Sequence, residues 1–231
     1  MKNKFLVAIG TLLLLATGSC RLPPPPEPQG TVYFFEKSLK ISTVKKEYSV
    51  GDTLWVEASL PNRILRDQQT QRDILIRNAA FNLTTKIDFL AIEPVPLLVE
   101  RYDILIEAGE ASKDELFPQN GDAVLGYGCP DSEYSLRVGF LFKQAGNYVF
   151  LLNPDRLVSF IFFDDTDNCA IQNIFPPPND ADWANVYYDF EVEDSNLDVF
   201  DEIVGDMDND PLIEDYRERL ELKRAFFLSV R

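Results

Sequence analysis

The chain contains no histidine. That absence removes Ser-His-Asp and Cys-His catalysis, histidine-containing zinc sites and any mechanism built on an imidazole base. Sulfur is scarce as well, with three cysteines and two methionines, and without a base beside it neither Cys129 nor Cys169 makes a good nucleophile. No phosphate-cradling loop is present. Gly126-Tyr127-Gly128 lacks the rest of a nucleotide fingerprint and reads as a turn beside Cys129. Basic residues are outnumbered, 22 against 38 acids for a net charge of −16, which excludes nucleic acid as a primary partner. The deficit is local: from Leu157 to Tyr216 there are 17 acids and not one Lys or Arg. Past the N-terminus no apolar run reaches the length of a membrane span.

What is there begins with Lys2 and Lys4, an apolar run from Phe5 to Leu15, and Ala16-Thr17-Gly18-Ser19 before Cys20. A positive start, a short apolar stretch and small residues have the layout of a secretory signal. With its terminal cysteine the segment resembles a bacterial lipoprotein signal, although Thr17 stands where that family usually has leucine. The resemblance implies cleavage before Cys20, acylation of its thiol and amino group, and a mature chain that starts there. Each buried methylene adds about 0.8 kcal/mol, so a multiply acylated cysteine stays in the lipid. Arg21, in the position where an aspartate favours inner-membrane retention in this family, points to the outer membrane, with the domain facing periplasm or cell surface. Pro23-Pro24-Pro25-Pro26-Glu27-Pro28 then forms an extended spacer, roughly 20 Å at about 3.1 Å per residue.

Hydrophobic residues make up 45% of the chain and aromatics 12%, a composition that folds. The expected organisation is a signal peptide (1–19), a lipidated cysteine and proline-rich linker (20–30), a β-sandwich domain (31–193) and a helical C-terminal extension (194–231). Loss of residues 1–19 removes two lysines and no acid, taking the net charge to −18. With Cys20 acylated, Cys129 and Cys169 remain as a pair in an oxidising compartment. A disulfide between them would close a loop of about 40 residues, worth roughly 4 kcal/mol on the chain-entropy estimate.

The body of the chain alternates with a period near two. Leu54, Val56, Ala58 and Leu60 face one way, and Trp55, Glu57 and Ser59 the other. The same holds for Tyr102, Ile104 and Ile106, and for Leu136, Val138, Phe140 and Phe142. Gln144-Ala145-Gly146-Asn147 followed by Tyr148 to Leu152 predicts a β-hairpin. Further strands are expected at Val32–Phe35, Leu39–Val44, Ile74–Arg77, Phe81–Ile92, Val158–Phe163 and Val186–Val192. Many short strands without intervening helices predict a mainly β fold, an antiparallel sandwich. The segment Tyr134 to Leu152 resembles the strand, turn and aromatic strand of immunoglobulin-like and fibronectin-like domains, over about 20 residues. The antibody-type order of cysteine, tryptophan and cysteine is absent.

The period changes near the C-terminus. Leu197, Phe200, Val204 and Met207 lie on one helical face. Asp210-Pro211 is a helix start, with an N-cap carboxylate and a proline whose missing N–H costs nothing there. Ile213, Tyr216, Leu220 and Phe227 are read as the apolar stripe of this second helix, and Asp215 with Arg219 as an i, i+4 pair.

Chemistry without histidine leaves carboxylates. A paired-carboxylate hydrolase needs no imidazole, but nothing singles out two acids among 38, and the chain is read as non-enzymatic and without a cofactor. Calcium has two candidate sites. Asp206, Asp208 and Asp210 have the opening spacing of an EF-hand, but Pro211 and Arg217 occupy the positions of its glycine and bidentate glutamate. Asp164, Asp165 and Asp167 form the second cluster. Trp55, Trp183, Tyr127, Tyr187 and Tyr188 are candidates for stacking on sugars or on a protein partner. The reading is therefore a lipid-anchored cell-envelope lipoprotein that binds or scaffolds an envelope protein. A surface glycan- or calcium-binding module is the alternative, and a carboxylate-based hydrolase comes third.

Overall fold

The computed structural model describes residues 32–42, 44–90, 98–114, 119–129, 133–153, 159–162, 182–192, 195–205 and 210–231. In chain order these form β1 (Val32–Ser42), β2 (Glu47–Tyr48), β3 (Thr53–Leu60), β4 (Ile64–Arg66), β5 (Asp73–Leu75), β6 (Asn78–Ala80), β7 (Asn82–Phe89) and β8 (Tyr102–Ala108). There follow β9 (Glu110–Lys113), β10 (Asp122–Gly126), β11 (Tyr134–Phe142), β12 (Gly146–Asn153), β13 (Ser159–Phe162), β14 (Asp182–Glu191), α1 (Leu197–Val204), α2 (Pro211–Glu221) and β15 (Ala225–Val230). The first sheet has the order β6-β13-β14-β1-β3-β11-β8 and the second β2-β15-β12-β7-β10-β9, while β4 and β5 pair as a separate ribbon.

The sandwich expected from the alternation is present. Inward residues of the first sheet (Leu39, Val56, Val138, Phe140) meet those of the second (Leu83, Leu125, Phe150, Leu228) in one apolar cluster. Rings bridge the sheets directly: Phe140 and Phe150 are T-shaped at 4.8 Å between centroids, and Phe142 and Tyr148 lie at 5.0 Å. Most pairings are antiparallel. The exceptions are β1 with β14 and β15 with β2, which are parallel.

Four local expectations are corrected. Val32–Phe35 and Leu39–Ser42 belong to the single strand β1, which ends at Ser42. Tyr134–Leu152 is not a hairpin, because β11 pairs with β3 and β8 whereas β12 pairs with β15 and β7. The turn after Phe142 is an arch between sheets, and its cause is visible in the rings above: the aromatic faces of the two strands pack against each other across the core. Gly146 permits the arch. A Cβ there would lie 2.1 Å from the Phe89 ring. Third, β8 is buried only at its start. Tyr102 is enclosed, but Ile106, although opposite the buried Val138, is 50% exposed, because β8 is a sheet edge.

The fourth correction concerns the C-terminus. The two helices are present, but Phe227 is on β15, inside the second sheet, so the chain ends on a strand. All six residues of β15 are buried. Phe226 and Leu228 face the inter-sheet core, while Ala225 and Phe227 face Phe200, Val204, Ile213, Tyr216 and Leu220 of the helices. A strand covered on both faces has no polar alternation to betray it. Asn196 fixes the helices to it: its Nδ2 donates to the carbonyls of Lys45 at 2.8 Å and Phe227 at 2.9 Å.

The outer face of the first sheet is different. A cross-strand row of alternating charge runs Glu191, Lys40, Glu57, Arg137 through four strands, and the Arg137 guanidinium also reaches Glu107 on β8. Such a ladder suits a solvated face. Phe227→Ala should remove the ring that meets Phe200 at 5.5 Å and cost about 3 to 5 kcal/mol in urea unfolding, far above the near-zero cost of an exposed residue on a terminal helix.

Candidate functional site

Several expected site residues lie outside the described residues: Cys20, Asp164, Asp165, Asp167, Cys169, Asp206 and Asp208. Cys129 is half-buried against the inter-sheet core, one residue past the bridge between Gly128 and Ser135. Asp210 does what a helix start requires, accepting from the Leu212 N–H at 2.9 Å. Among the described residues no three carboxylates or thiols are placed to hold a metal ion, and no helix is long and apolar enough to cross a membrane.

The aromatic candidates whose side chains are described do not converge. Tyr127 is buried against Phe81. Tyr187 is exposed on the outer face of the first sheet, stacked near Phe34. Trp55 lies on the same face, two strands from Tyr187 in the sheet order, with the Arg137 guanidinium 4.7 Å from its ring centroid. Gly139 clears the space for that indole, since a Cβ there would approach Trp55 ring carbons to 3.0 Å and Thr53 Cγ2 to 2.6 Å. This is one aromatic ring laid over a strand glycine, not a platform. The side chains of Trp183 and Tyr188 lie outside the description.

Two recesses are formed among the described residues. One, beside the inward-facing Lys37, is walled by Leu60, Leu65, Phe81, Tyr127 and Val186, but its volume of about 10 Å³ holds no more than a water molecule. Burial lowers the Lys37 pKa, with Glu191 opposing. The other is a cleft of about 310 Å³ between the outer face of the second sheet and α2, the size at which small-ligand sites begin. Its floor is Lys86 and Asp88 from β7 and Asp122 from β10; its wall is Leu212, Asp215, Tyr216 and Arg219 from α2.

The geometry of this cleft follows from strand and helix periods. Lys86 and Asp88 are two apart on β7 and so project to one face, and Asp122 sits directly across from Lys86. Asp88 and Asp122 are thus diagonal neighbours, about 7 to 8 Å apart by sheet geometry. On α2, residues 212, 215, 216 and 219 recur three and four apart and share a face. Asp88 joins the two layers. Lys86 Nζ lies 2.7 Å from its Oδ1, and the Tyr216 hydroxyl donates to its Oδ2 at 2.7 Å. Across the cleft Arg219 Nε donates to Asp215 at 2.8 Å. Asp88 and Asp122 are 8% and 3% exposed. Burial, and then the Asp88 carboxylate, raises the Tyr216 pKa far above its ordinary value. Both oxygens of Asp88 are thus engaged within the cleft.

The Asp215 and Arg219 pair was legible as a helix pattern; the floor was not. Its signal is Thr84, Lys86 and Asp88 at alternate positions against Leu83, Ile87 and Phe89, which marks a face that points away from the inter-sheet core. Tyr216→Phe removes the hydroxyl from Asp88 and should cost about 1 to 2 kcal/mol. Because the folded pKa of Tyr216 is raised, that difference should be constant below about pH 10 and shrink as pH climbs through the folded value. Urea midpoints of both proteins from pH 7 upward would check it, and a difference that grows with pH would contradict it.

No known family matches the chain, and no curated protein is significantly similar to it. Among solved structures the human F-spondin reeler domain (fragment 2) is similar over 58% of this chain and 82% of that chain, at 14% identity and a TM-score of 0.30, a likeness too slight to carry an argument.

Proposed function

We propose that the protein is a lipid-anchored lipoprotein of the bacterial cell envelope, held at the outer membrane through Cys20, that works without catalysis as a protein-binding or scaffolding component. The observation that carries the anchor is the ordered run of Lys2 and Lys4, an apolar segment, small residues and Cys20, followed directly by the proline spacer. Support for binding over catalysis comes from the chemistry available. Histidine is absent, and in the cleft Asp88 is tied to Lys86 and Tyr216 while Asp215 is tied to Arg219. A second reading, a module that takes a small ligand or glycan, draws on the volume of the same cleft. A Cys129–Cys169 disulfide belongs to the proposal as well, for an oxidising compartment favours pairing of the two cysteines left after acylation of Cys20.

Globomycin, which blocks processing of lipoprotein precursors, should leave an unprocessed chain about 19 residues longer than the mature form by mass; normal processing under the drug would refute the anchor. Alkylation of unreduced, envelope-purified protein should leave Cys129 and Cys169 unmodified, and labelling of both would refute the disulfide. Crosslinking in the intact envelope should capture a discrete protein partner.

A further inference from the structure

We infer that the ribbon of β4 and β5 is a membrane-contact surface, which lays its outer face on the anionic phosphate headgroups of the leaflet that holds Cys20. The inference deepens the anchor reading and rests on it. Residues 61–78 carry four arginines against two aspartates, a net +2 within a chain of net −16. One of the two acids is taken inside: Asp67 is 1% exposed and accepts from the N–H groups of Phe34 at 2.9 Å and Thr70 at 2.8 Å. The other, Asp73, faces Arg66 at 3.4 Å. Arg72 and Arg77 are exposed, and among the described residues neither is in an ion pair.

The ribbon is also amphipathic in the sense a surface contact needs. Leu65, Ile74 and Ile76 turn inward onto the inter-sheet core. On the opposite side Ile64 and Leu75 lie directly across from each other, 48% and 46% exposed, with Arg66 two positions from Ile64 and Arg77 two positions from Leu75. An exposed aliphatic pair flanked by guanidiniums suits a lipid interface, where the apolar side chains enter the acyl boundary and each guanidinium holds a phosphate through paired N–H groups. Position is the second, independent observation. The linker from Cys20 joins at Val32, and two residues on, Phe34 is bonded to the turn of the ribbon: its N–H donates to Asp67 and its carbonyl accepts from the Gln68 N–H at 2.7 Å. Eleven residues separate Cys20 from Val32, roughly 40 Å at full extension. That is the longest distance the tether allows, so the ribbon lies within reach of the lipid. The acid elsewhere on the chain is repelled by the same headgroups, which turns the ribbon, and not the acidic surface, toward the leaflet.

Hydrogen exchange read by mass spectrometry tests this on the full acylated chain, reconstituted into phosphatidylcholine vesicles with and without about 30% phosphatidylglycerol. The anchor holds the protein on both, so a difference between them reports the ribbon alone. Peptides covering residues 61–78 should exchange several-fold more slowly on the anionic vesicles, and that protection should vanish at about 500 mM salt. Arg72→Gln combined with Arg77→Gln, both at exposed positions, should lower the ratio of docked to free ribbon about 25-fold, at about fivefold per arginine. Protection on the anionic vesicles that salt and the double variant leave unchanged overturns the inference. So does protection that appears in the native envelope and not on phosphatidylglycerol vesicles, which would assign the ribbon to a protein partner. The mass of the N-terminal peptide reports acylation of Cys20 in the same experiment. Absence of the acyl groups overturns the anchor and this inference together, whereas equal exchange on the two vesicles with the acyl groups present overturns this inference and leaves the anchor standing.

Discussion

The second sheet is the layer on which the rest of the molecule depends, because its strands β12 and β15 are buried on both faces. Toward the first sheet, Phe150, Leu152, Phe226 and Leu228 fill the sandwich core; away from it, Val149, Leu151, Ala225 and Phe227 sit under the two helices. Each of these side chains larger than alanine contributes about 1.5 to 3 kcal/mol on burial, before the entropy of ordering it is counted. The helices are short, and a helix of about ten residues is marginal alone in water, so α1 and α2 exist because the sheet offers them an apolar face. The sheet in turn needs the helices, since without them Phe227 and Val149 would stand in water.

This mutual cover explains where the polar cleft lies. Helix cover on the outer face is centred on β12 and β15, and at β7 and β10 the face turns polar with Lys86, Asp88 and Asp122. The boundary between covered and uncovered sheet is therefore a step, and α2 overhangs it. Tyr216 is the residue that spans the step: its ring belongs to the apolar cluster and its hydroxyl reaches Asp88. A phenol is suited to that position because it carries an apolar body and a polar end. Among the described residues the outer face of the first sheet carries the charge ladder instead.

How much of this could be read from the chain depends on how each strand is exposed. β3 and β11, with one wet face, declare themselves by alternation, and the Asp210 cap and the Asp215 and Arg219 pair declare α2. β15 does not, because burial on both sides erases the period of two and leaves Phe227 in apparent helical phase with Leu220. The hairpin reading of Tyr134–Leu152 failed for a related reason. Alternation fixes which residues face inward but not which sheet a strand joins, and a glycine turn serves an arch as well as a hairpin. The floor of the cleft escaped because its three residues come from two strands that become neighbours only once the sheet has formed. Charge balance, by contrast, was legible throughout, since the excess of acid over base needs no fold to be counted.

The proposed tether acts on this architecture through β1. The linker leads into Val32, and β1 lies inside the first sheet, parallel to β14 on one side and antiparallel to β3 on the other. A pull transmitted through an N-terminal anchor runs along β1, and the hydrogen bonds of a ladder lie across that direction. They are loaded together in shear, so no single pair must fail before the next takes the load. At the far side of the sandwich, the cleft is built from β7, β10 and α2 and shares no strand with β1. An anchored domain arranged in this way separates the element that carries the tether from the layer that carries the candidate binding site, so tension on the one need not distort the other.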